Sequence, residues 1–157
     1  MSVTGRPDAA VSSAPGLRVG IAAARWNADV VEPMLHRARA AVEKAGAAEP
    51  TVVRVAGCVE LPVIAQELAR THDAVVALGA VVRGGTPHFD YVCLAVTQGL
   101  TEAALRTETP VASGVLTCDN QEQALARAGL EDSIEDKGWE SAAAAIESAL
   151  ALRSLRT

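Results

Sequence analysis

The sequence contains few aromatic residues, few cysteines and no long apolar run. Its three cysteines, Cys58, Cys93 and Cys118, are odd in number and their spacings match no zinc motif. We therefore expect neither a disulfide framework nor a structural metal site. Reduced thiols are typical of a cytoplasmic protein. No segment resembles the apolar core of a signal peptide or reaches the length that spans a membrane.

Basic charge is scarce as well, which narrows the classes of partner. The 14 lysines and arginines are outnumbered by 19 acidic residues, and the net charge is −5 with no basic cluster. A nucleic-acid or anionic-membrane surface needs such a cluster, so we expect small-molecule ligands. Half of the 157 residues are apolar, which is enough for one buried core. The Pro-, Ser-, Gly- and Ala-rich residues 1–16 predict a flexible tail before a domain at 17–157.

Short β-branched runs alternate with longer helical patterns after this tail. The predicted strands cover residues 17–23, 51–55, 74–82 and 111–116. The first predicted helix ends near Ala45, the second covers 62–70, and the third follows the third strand. The fourth runs from an Asn120 cap to about 128, and the fifth covers 135–155. Pro33 leaves the start of the first helix open, because it must lie near the first turn or kink the helix. Four successive β-α units predict a four-stranded parallel sheet in a three-layer α/β/α sandwich of the flavodoxin-like class.

A sheet of this kind binds ligands beyond the carboxyl ends of its strands, and each predicted strand has a polar motif at or near that end. Arg25-Trp26-Asn27 follows the first strand, and Gly57-Cys58-Val59-Glu60 follows the second. Gly84 to His88 follows the third, while Ser113-Gly114 lies late in the fourth. We therefore expect all four segments to meet at one rim of the sheet.

The third of these segments has the character of an anion site. A buried strand leads through Gly84-Gly85-Thr86 into a helix N-terminus, where free backbone N–H groups and the helix dipole favour phosphate. His88 stands at the same place as a candidate proton carrier. The helix N-terminus favours its neutral form and a bound phosphate its charged form, and the sequence does not rank the two effects. His36 and His72 are expected to be solvated surface residues.

Other candidate residues have an ordinary interpretation beside the functional one. Trp26 suits either the core or a stacking platform for a flat heterocycle, and its place at a strand end favours the platform. Glu60 could cap the short helix or accept hydrogen bonds from sugar hydroxyls. Arg127 would by default complement a helix dipole, and Lys137 would be an exposed charge. Cys58 is a small buried residue rather than a nucleophile, because no base is placed to activate it.

Several segments together resemble the lumazine synthase family of riboflavin biosynthesis, from about Leu17 to Leu155. The matching segments are Arg25-Trp26-Asn27, Val55 to Pro62, Ala77-Leu78-Gly79, Thr86 to Val92, Gly114 to Thr117, Glu122-Gln123-Ala124 and Asp136-Lys137-Gly138. The resemblance implies condensation of 5-amino-6-(D-ribitylamino)uracil with 3,4-dihydroxy-2-butanone 4-phosphate. The products would be 6,7-dimethyl-8-ribityllumazine, phosphate and water. Proton transfer, orientation and an anion site suffice for this chemistry, so no cofactor or metal is expected.

The resemblance also implies a role for each candidate residue. His88 would transfer protons. The pyrimidine substrate would contact Trp26 by stacking, Val59 and Glu60 along the ribityl chain, backbone at Val81 and Val82, Ser113 near the ring, and Lys137 at the pyrimidine end. The butanone phosphate would be bound by Gly84, Gly85, Thr86 and, from a neighbouring subunit, Arg127. Gly85 departs from the Gln, Ala or Ser that the family often has, and Ser113 from an Asn or aromatic residue. The glycine predicts a more flexible phosphate turn.

The same resemblance implies a homo-oligomer with active sites between adjacent subunits. The longer connection at residues 129–134 resembles that of pentamer-only members, which favours a pentamer over larger shells. Riboflavin synthase is the further partner that the resemblance suggests. Two other functions stay open. A non-catalytic flavin- or lumazine-binding protein would bind without turnover, and another sugar-phosphate enzyme, such as an isomerase, would act without the amino-uracil.

Overall fold

The computed structural model describes residues 9–157 and contains the predicted parallel sheet. Its strands are β1 Val19–Ala24, β2 Thr51–Val55, β3 Ala74–Val82 and β4 Val111–Cys118. They pair in the order β2-β1-β3-β4, and every pairing is parallel. The first strand begins two residues later than expected, and β4 continues past Leu116. The extension of β4 changes the location of one predicted site residue, as described below.

Helices cover both faces of the sheet and confirm the three-layer sandwich. They are α1 Ala28–Lys44, α2 Leu61–Ala69, α3 His88–Thr107, α4 Gln121–Leu125 and α5 Lys137–Leu155, with a 3-10 turn at Cys58–Glu60. One buried cluster joins the sheet to α1 and α5, and a second joins it to α2 and α3. The two clusters place α1 and α5 on one face and α2 and α3 on the other.

The central strands are apolar without alternation because both of their faces are buried. In β1, Ile21 and Ala23 belong to the cluster with α1 and α5, while Ala22 and Ala24 belong to the cluster with α2 and α3. Successive side chains of a strand point to opposite faces, so a central strand needs apolar residues at every position. The same pattern in β3 explains why its sequence predicts a central strand.

Close approach of α1 and α5 depends on a glycine. A Cβ at Gly138 would overlap the backbone carbonyl of Met34. Since neither group is the end of a flexible side chain, the two helices meet by direct backbone contact at this point. The residue before Gly138 is Lys137, so the contact also fixes the position from which that side chain extends.

Helix boundaries differ from the predicted ones where the chain forms tertiary hydrogen bonds. The first helix begins at Ala28 and contains Pro33 in its interior. Asn120 caps α4 as predicted, but the helix ends at Leu125 instead of residue 128. The following connection turns back, and the N–H of Glu135 donates to the carbonyl of Ala126 at 3.1 Å. This bond holds Glu135 outside α5, which therefore begins two residues later than expected.

The predicted flexible tail needs correction in its described part. Ala14 is 1% exposed, and its N–H donates to the carbonyl of Ala45 at 2.8 Å. The indole Nε1 of Trp139 donates to the carbonyl of Ala9 at 2.8 Å. These contacts attach the chain to the domain ahead of the expected boundary at residue 17. The rest of the predicted tail, residues 1–8, lies outside the described residues.

Candidate active site

The end of β1 presents an exposed indole at the carboxyl rim of the sheet. Trp26 is 73% exposed, so its interpretation as a core residue is wrong. Its backbone N–H donates to the carbonyl of Ala56 at 3.1 Å, which ties it to the end of β2. The side-chain amide of the next residue, Asn27, donates to the carbonyl of Ala80 at 2.8 Å, which ties it to β3. Trp26 is therefore held between two strand ends with its ring free to stack on a ligand.

Asn27 has a structural role that the sequence motif did not disclose. It adopts a left-handed backbone conformation, with φ of 58°, directly before α1. Asparagine tolerates this conformation better than most residues do. The hydrogen bond from its side-chain amide to Ala80 of β3 then fixes the turn that carries Trp26. Asn27 thus orients the indole without itself standing among the predicted ligand contacts.

The segment after β2 brings a carboxylate and an apolar side chain to the same rim. One oxygen of Glu60 accepts a hydrogen bond from the N–H of Gly57 at 2.8 Å. This hydrogen bond caps the 3-10 turn at Cys58–Glu60. The predicted cap on the short helix is wrong, because Glu60 makes no side-chain cap hydrogen bond to α2. The side chain is nonetheless exposed, as is that of Val59. The bond to Gly57 orients the carboxylate at the rim, where it can also accept hydrogen bonds from hydroxyl groups of a ligand.

The turn that follows β3 leaves several backbone donors free; we call residues 84–87 the glycine turn. Among the described residues, no acceptor pairs with the N–H groups of Gly84, Gly85 or Thr86. The helix α3 begins immediately after the turn, at His88, and has no side-chain cap hydrogen bond. Free N–H groups at the N-terminus of a long helix form an anion site. The exposed His88 lies at this site, and half-buried Val81 and Val82 lead into it.

Ser113 does not lie at the rim, which corrects its predicted placement. It pairs with Ala77, in the first half of β4, and the strand continues to Cys118. Its exposed side chain instead lines a groove along the open edge of the sheet. The groove lies between the end of α3 and the outer side of α5, with Leu105, Pro110 and Leu152 among its walls. The predicted early end of β4 caused the error, because Ser113 then seemed close to the carboxyl end.

Arg127 and Lys137 are joined by a buried carboxylate that no sequence motif indicated. Glu135 is 6% exposed; its Oε1 lies 3.3 Å from Nε of Arg127, and its Oε2 lies 2.5 Å from Nζ of Lys137. Lys137 also contacts Glu140 at 2.7 Å. We call Arg127, Glu135 and Lys137 the Glu135 cluster. The only sequence signal for it is the acidic run around Lys137.

The cluster changes the ordinary interpretations of both cations. Arg127 donates from Nη1 to the carbonyl of Gln123 at 2.8 Å, which is the helix-end role expected by default, but it also binds Glu135. Lys137 is half-buried instead of exposed. Burial opposes its charge, yet hydrogen bonds to Glu135 and Glu140 raise the pKa of Lys137 above its usual value. Lys137 is thus charged and oriented near neutral pH.

Within one chain the predicted site residues form two groups. Trp26 and Glu60 share the carboxyl rim with the glycine turn and His88. In the described part of the chain, Arg127 and Lys137 form no hydrogen bond or ion pair with these rim residues. Ser113 lies apart from both, on the open edge. A ligand that touches all of the predicted residues would therefore need groups from more than one place on the protein surface.

Of the three cysteines, Cys58 and Cys118 are buried and Cys93 is partly buried. The three cysteines are unpaired thiols, and burial raises the pKa of Cys58 to about 11, which suits a structural residue instead of a nucleophile. Among residues 9–157 no three His, Cys, Asp or Glu side chains are grouped to hold a metal ion. None of the described helices is both long and apolar enough to cross a membrane.

The chain is similar in sequence to known proteins over almost its whole length. The sequence model of 6,7-dimethyl-8-ribityllumazine synthase matches residues 16–153. The enzyme of that name from Thermobifida fusca is 69% identical over 99% of this chain and 91% of its own length. The one from Saccharopolyspora erythraea is 64% identical over 99% of this chain and 94% of its own. The one from Mycobacterium avium is 57% identical, with 97% and 95% covered.

Proposed function

The chain belongs to the 6,7-dimethyl-8-ribityllumazine synthase family, and we propose that the carboxyl rim of its sheet is where it forms that lumazine. The reaction condenses 5-amino-6-(D-ribitylamino)uracil with 3,4-dihydroxy-2-butanone 4-phosphate and releases phosphate and water. One observation carries the proposed site: the glycine turn, with its free N–H groups, lies at the same rim as the exposed indole of Trp26. One substrate has a phosphate group and the other a flat ring, and the rim offers a partner to each.

The phosphate of the butanone binds at the glycine turn in this proposal. The N–H groups of Gly84, Gly85 and Thr86 donate to its oxygens, and the dipole of α3 favours its charge. Arg127 from a neighbouring subunit supplies a positive charge on the other side. The same contacts stabilise inorganic phosphate as it leaves, since the departing group carries more negative charge than the ester.

The pyrimidine substrate is held by the first two strand ends. Trp26 stacks on its ring, and Glu60 and Val59 contact the ribityl chain, with the carboxylate accepting hydroxyl hydrogen bonds. Backbone groups at Val81 and Val82 meet the edge of the ring. Ser113 and Lys137 approach it from a neighbouring subunit. Such contacts place the amine of one substrate next to the ketone of the other.

His88 moves the protons that the condensation requires. The amine must lose protons as its nitrogen bonds to the ketone carbon, and the departing water must gain them. Elimination of phosphate then takes a proton from carbon, and ring closure repeats addition and loss of water. The position of His88 at the first residue of α3, next to the glycine turn, supports this role.

A second copy of the chain completes the site in this proposal. Within residues 9–157 of one subunit, Arg127 and Lys137 form no hydrogen bond or ion pair with the rim, and the open edge at β4 exposes Ser113 in an apolar groove. Large apolar side chains such as Tyr91 and Leu94 are exposed on α3 and need a covering surface. We propose a homopentamer with active sites between adjacent subunits. Sedimentation in dilute buffer tests this, and a stable monomer would contradict both the assembly and the shared site.

Two finer assignments accompany the proposed enzyme. We propose a cytoplasmic location, supported by three unpaired thiols. Riboflavin synthase is proposed as a partner, because it consumes the lumazine that this site releases. Co-sedimentation of the two purified proteins tests that association, and independent sedimentation would contradict it.

The experiment that tests the function is an assay with both substrates. Formation of the fluorescent lumazine, with one phosphate released per product, is the expected result. Binding of the lumazine without turnover would favour a binding protein. Release of phosphate that does not require the amino-uracil would favour another sugar-phosphate enzyme.

A further inference from the structure

Arg83 fixes the beginning of the glycine turn through its backbone. Its N–H donates to the carbonyl of Cys118 at 2.9 Å. The bond belongs to the pairing of Val82 with Cys118 at the end of the two strands. Arg83, one residue past the end of β3, is therefore tied to the sheet by its backbone, whereas Gly84 and Gly85 are not.

The side chain of Arg83 reaches across the turn to the other end. Its Nη1 lies 3.3 Å from a carboxylate oxygen of Asp90, in the first turn of α3. Its guanidinium also lies over the ring of Phe89, with the central carbon 4.2 Å from the ring centroid. Its Nε donates to Asp119, beyond the end of β4, at 2.9 Å. We call these contacts the Arg83 bridge.

Neither glycine of the turn supplies such a restraint itself. A Cβ built at Gly84 or at Gly85 would meet no atom within 4 Å, so packing does not hold either residue. Glycine also has more conformational freedom than any other residue. Order in the turn must therefore come from its two ends, and the Arg83 bridge joins those ends directly.

Charge gives the bridge a second effect at an anion site. Asp90 and Asp119 are carboxylates close to the turn, and both are bound by the same guanidinium. Without that guanidinium, two negative charges would face an incoming phosphate. A lysine would restore one charge but not the planar fork that binds two carboxylates and stacks on a ring.

We propose that Arg83 is a positioning residue for the phosphorylated substrate, which holds the N–H groups of the glycine turn in place through the Arg83 bridge. The proposal rests on the proposed function of that turn. Its advantage is preorganisation: a turn that is already ordered loses less entropy when phosphate binds. Arg83 need not touch the substrate to have this effect.

Arg83→Met tests the proposal against Arg106→Met as a matched control. Arg106 also pairs with a carboxylate on α3, that of Glu102, but lies near the far end of the helix from the turn. We expect Arg83→Met to raise the KM for the butanone phosphate about 10-fold, or about 1.4 kcal/mol. The KM for the amino-uracil should change by less than about 2-fold, and Arg106→Met should change neither.

A measurement without substrate separates the bridge from the activity. Amide 15N relaxation of Gly84, Gly85 and Thr86 should show order parameters that fall from about 0.85 in the wild type to below about 0.6 in Arg83→Met. Unchanged order parameters would overturn the proposal, as would an equal rise in both KM values. If the wild type forms no lumazine, the proposed function fails, while the relaxation comparison still tests the bridge.

A milder variant guards against misfolding of Arg83→Met. Asp119→Asn removes one anchor of the bridge and leaves the arginine in place. Because an exposed ion pair contributes little, the KM for the butanone phosphate should rise only about 2-fold. No change in that KM would contradict the role of the Asp119 anchor, and Arg83→Lys should fail to restore the wild-type value.

Discussion

The glycine turn and the Glu135 cluster both offer groups that suit an anion, yet one is exposed and the other is centred on a buried carboxylate. The turn has free backbone donors, no internal packing and two ends joined by an exposed arginine. The cluster has two cations held at 3.3 and 2.5 Å from Glu135. Buried charges demand partners, whereas exposed N–H groups are satisfied by water until a ligand arrives. Substitutions should therefore affect stability at the cluster and ligand binding at the turn.

Glu135→Gln should give the largest effect. It leaves two half-buried cations without their shared carboxylate, so we expect the free energy of unfolding to fall by about 2 kcal/mol. Urea denaturation at fixed protein concentration measures this change. Glu131→Gln is the matched control, because it removes an exposed carboxylate from the same connection. Equal stabilities of the two variants would contradict the structural importance of the cluster.

His88→Ala should act on the rate instead of the stability. His88 is exposed, so the urea midpoint should not move. The turnover number should fall about 10-fold or more, within the range of general acid–base catalysis. Steady-state assay of lumazine formation measures it, with the exposed His36→Ala as control. An unchanged rate would remove His88 from the proposed mechanism.

Arg127→Ala tests the point at which the two regions are proposed to meet. The KM for the butanone phosphate should rise about 5-fold, since a half-exposed charge contributes less than a buried one. The KM for the amino-uracil should remain nearly constant. Arg39→Ala, which breaks an exposed pair with Glu49, is the control. If the KM for the phosphate substrate does not change, Arg127 is not its ligand.

Gly85→Ala should give the smallest effect and the opposite sign. A Cβ at Gly85 meets no atom within 4 Å and its φ is not positive, so alanine fits without strain. Alanine lowers the conformational entropy of the unbound turn, an effect of about 0.5 kcal/mol. The KM for the butanone phosphate should therefore fall about 2-fold. A higher KM would show that the turn needs glycine in the bound state, and would reverse its interpretation as a flexible departure from the family.

Local patterns predicted most of the fold and the half of the site that follows from it. The unbroken apolar run of β3 identified a central strand, and the residues after β1, β2 and β3 were located correctly because strand ends share one rim. Ser113 was misplaced because the fourth strand was predicted to end at Leu116, two residues too early. Ala14 was assigned to a tail because composition does not show what covers a residue.

The ion pairs could not be predicted by any local rule. Glu135 joins residues on either side of a long connection, and Arg83 contacts both the first turn of α3 and the segment after β4. Such pairs depend on where the backbone returns in three dimensions, and their sequence spacing follows no period. Asn27 lies between these cases. Its motif was recognised, but its bond to Ala80 required the position of β3.

The backbone contact between Gly138 and Met34 also limits how this sequence can evolve. Any side chain at residue 138 would have to push α5 away from α1. Substitution of residue 138 is therefore sterically excluded, whereas a Cβ at residue 84 or 85 would meet no neighbouring atom. The glycine beside Lys137 thus preserves an interhelical distance, and through it the position from which the Lys137 side chain leaves α5.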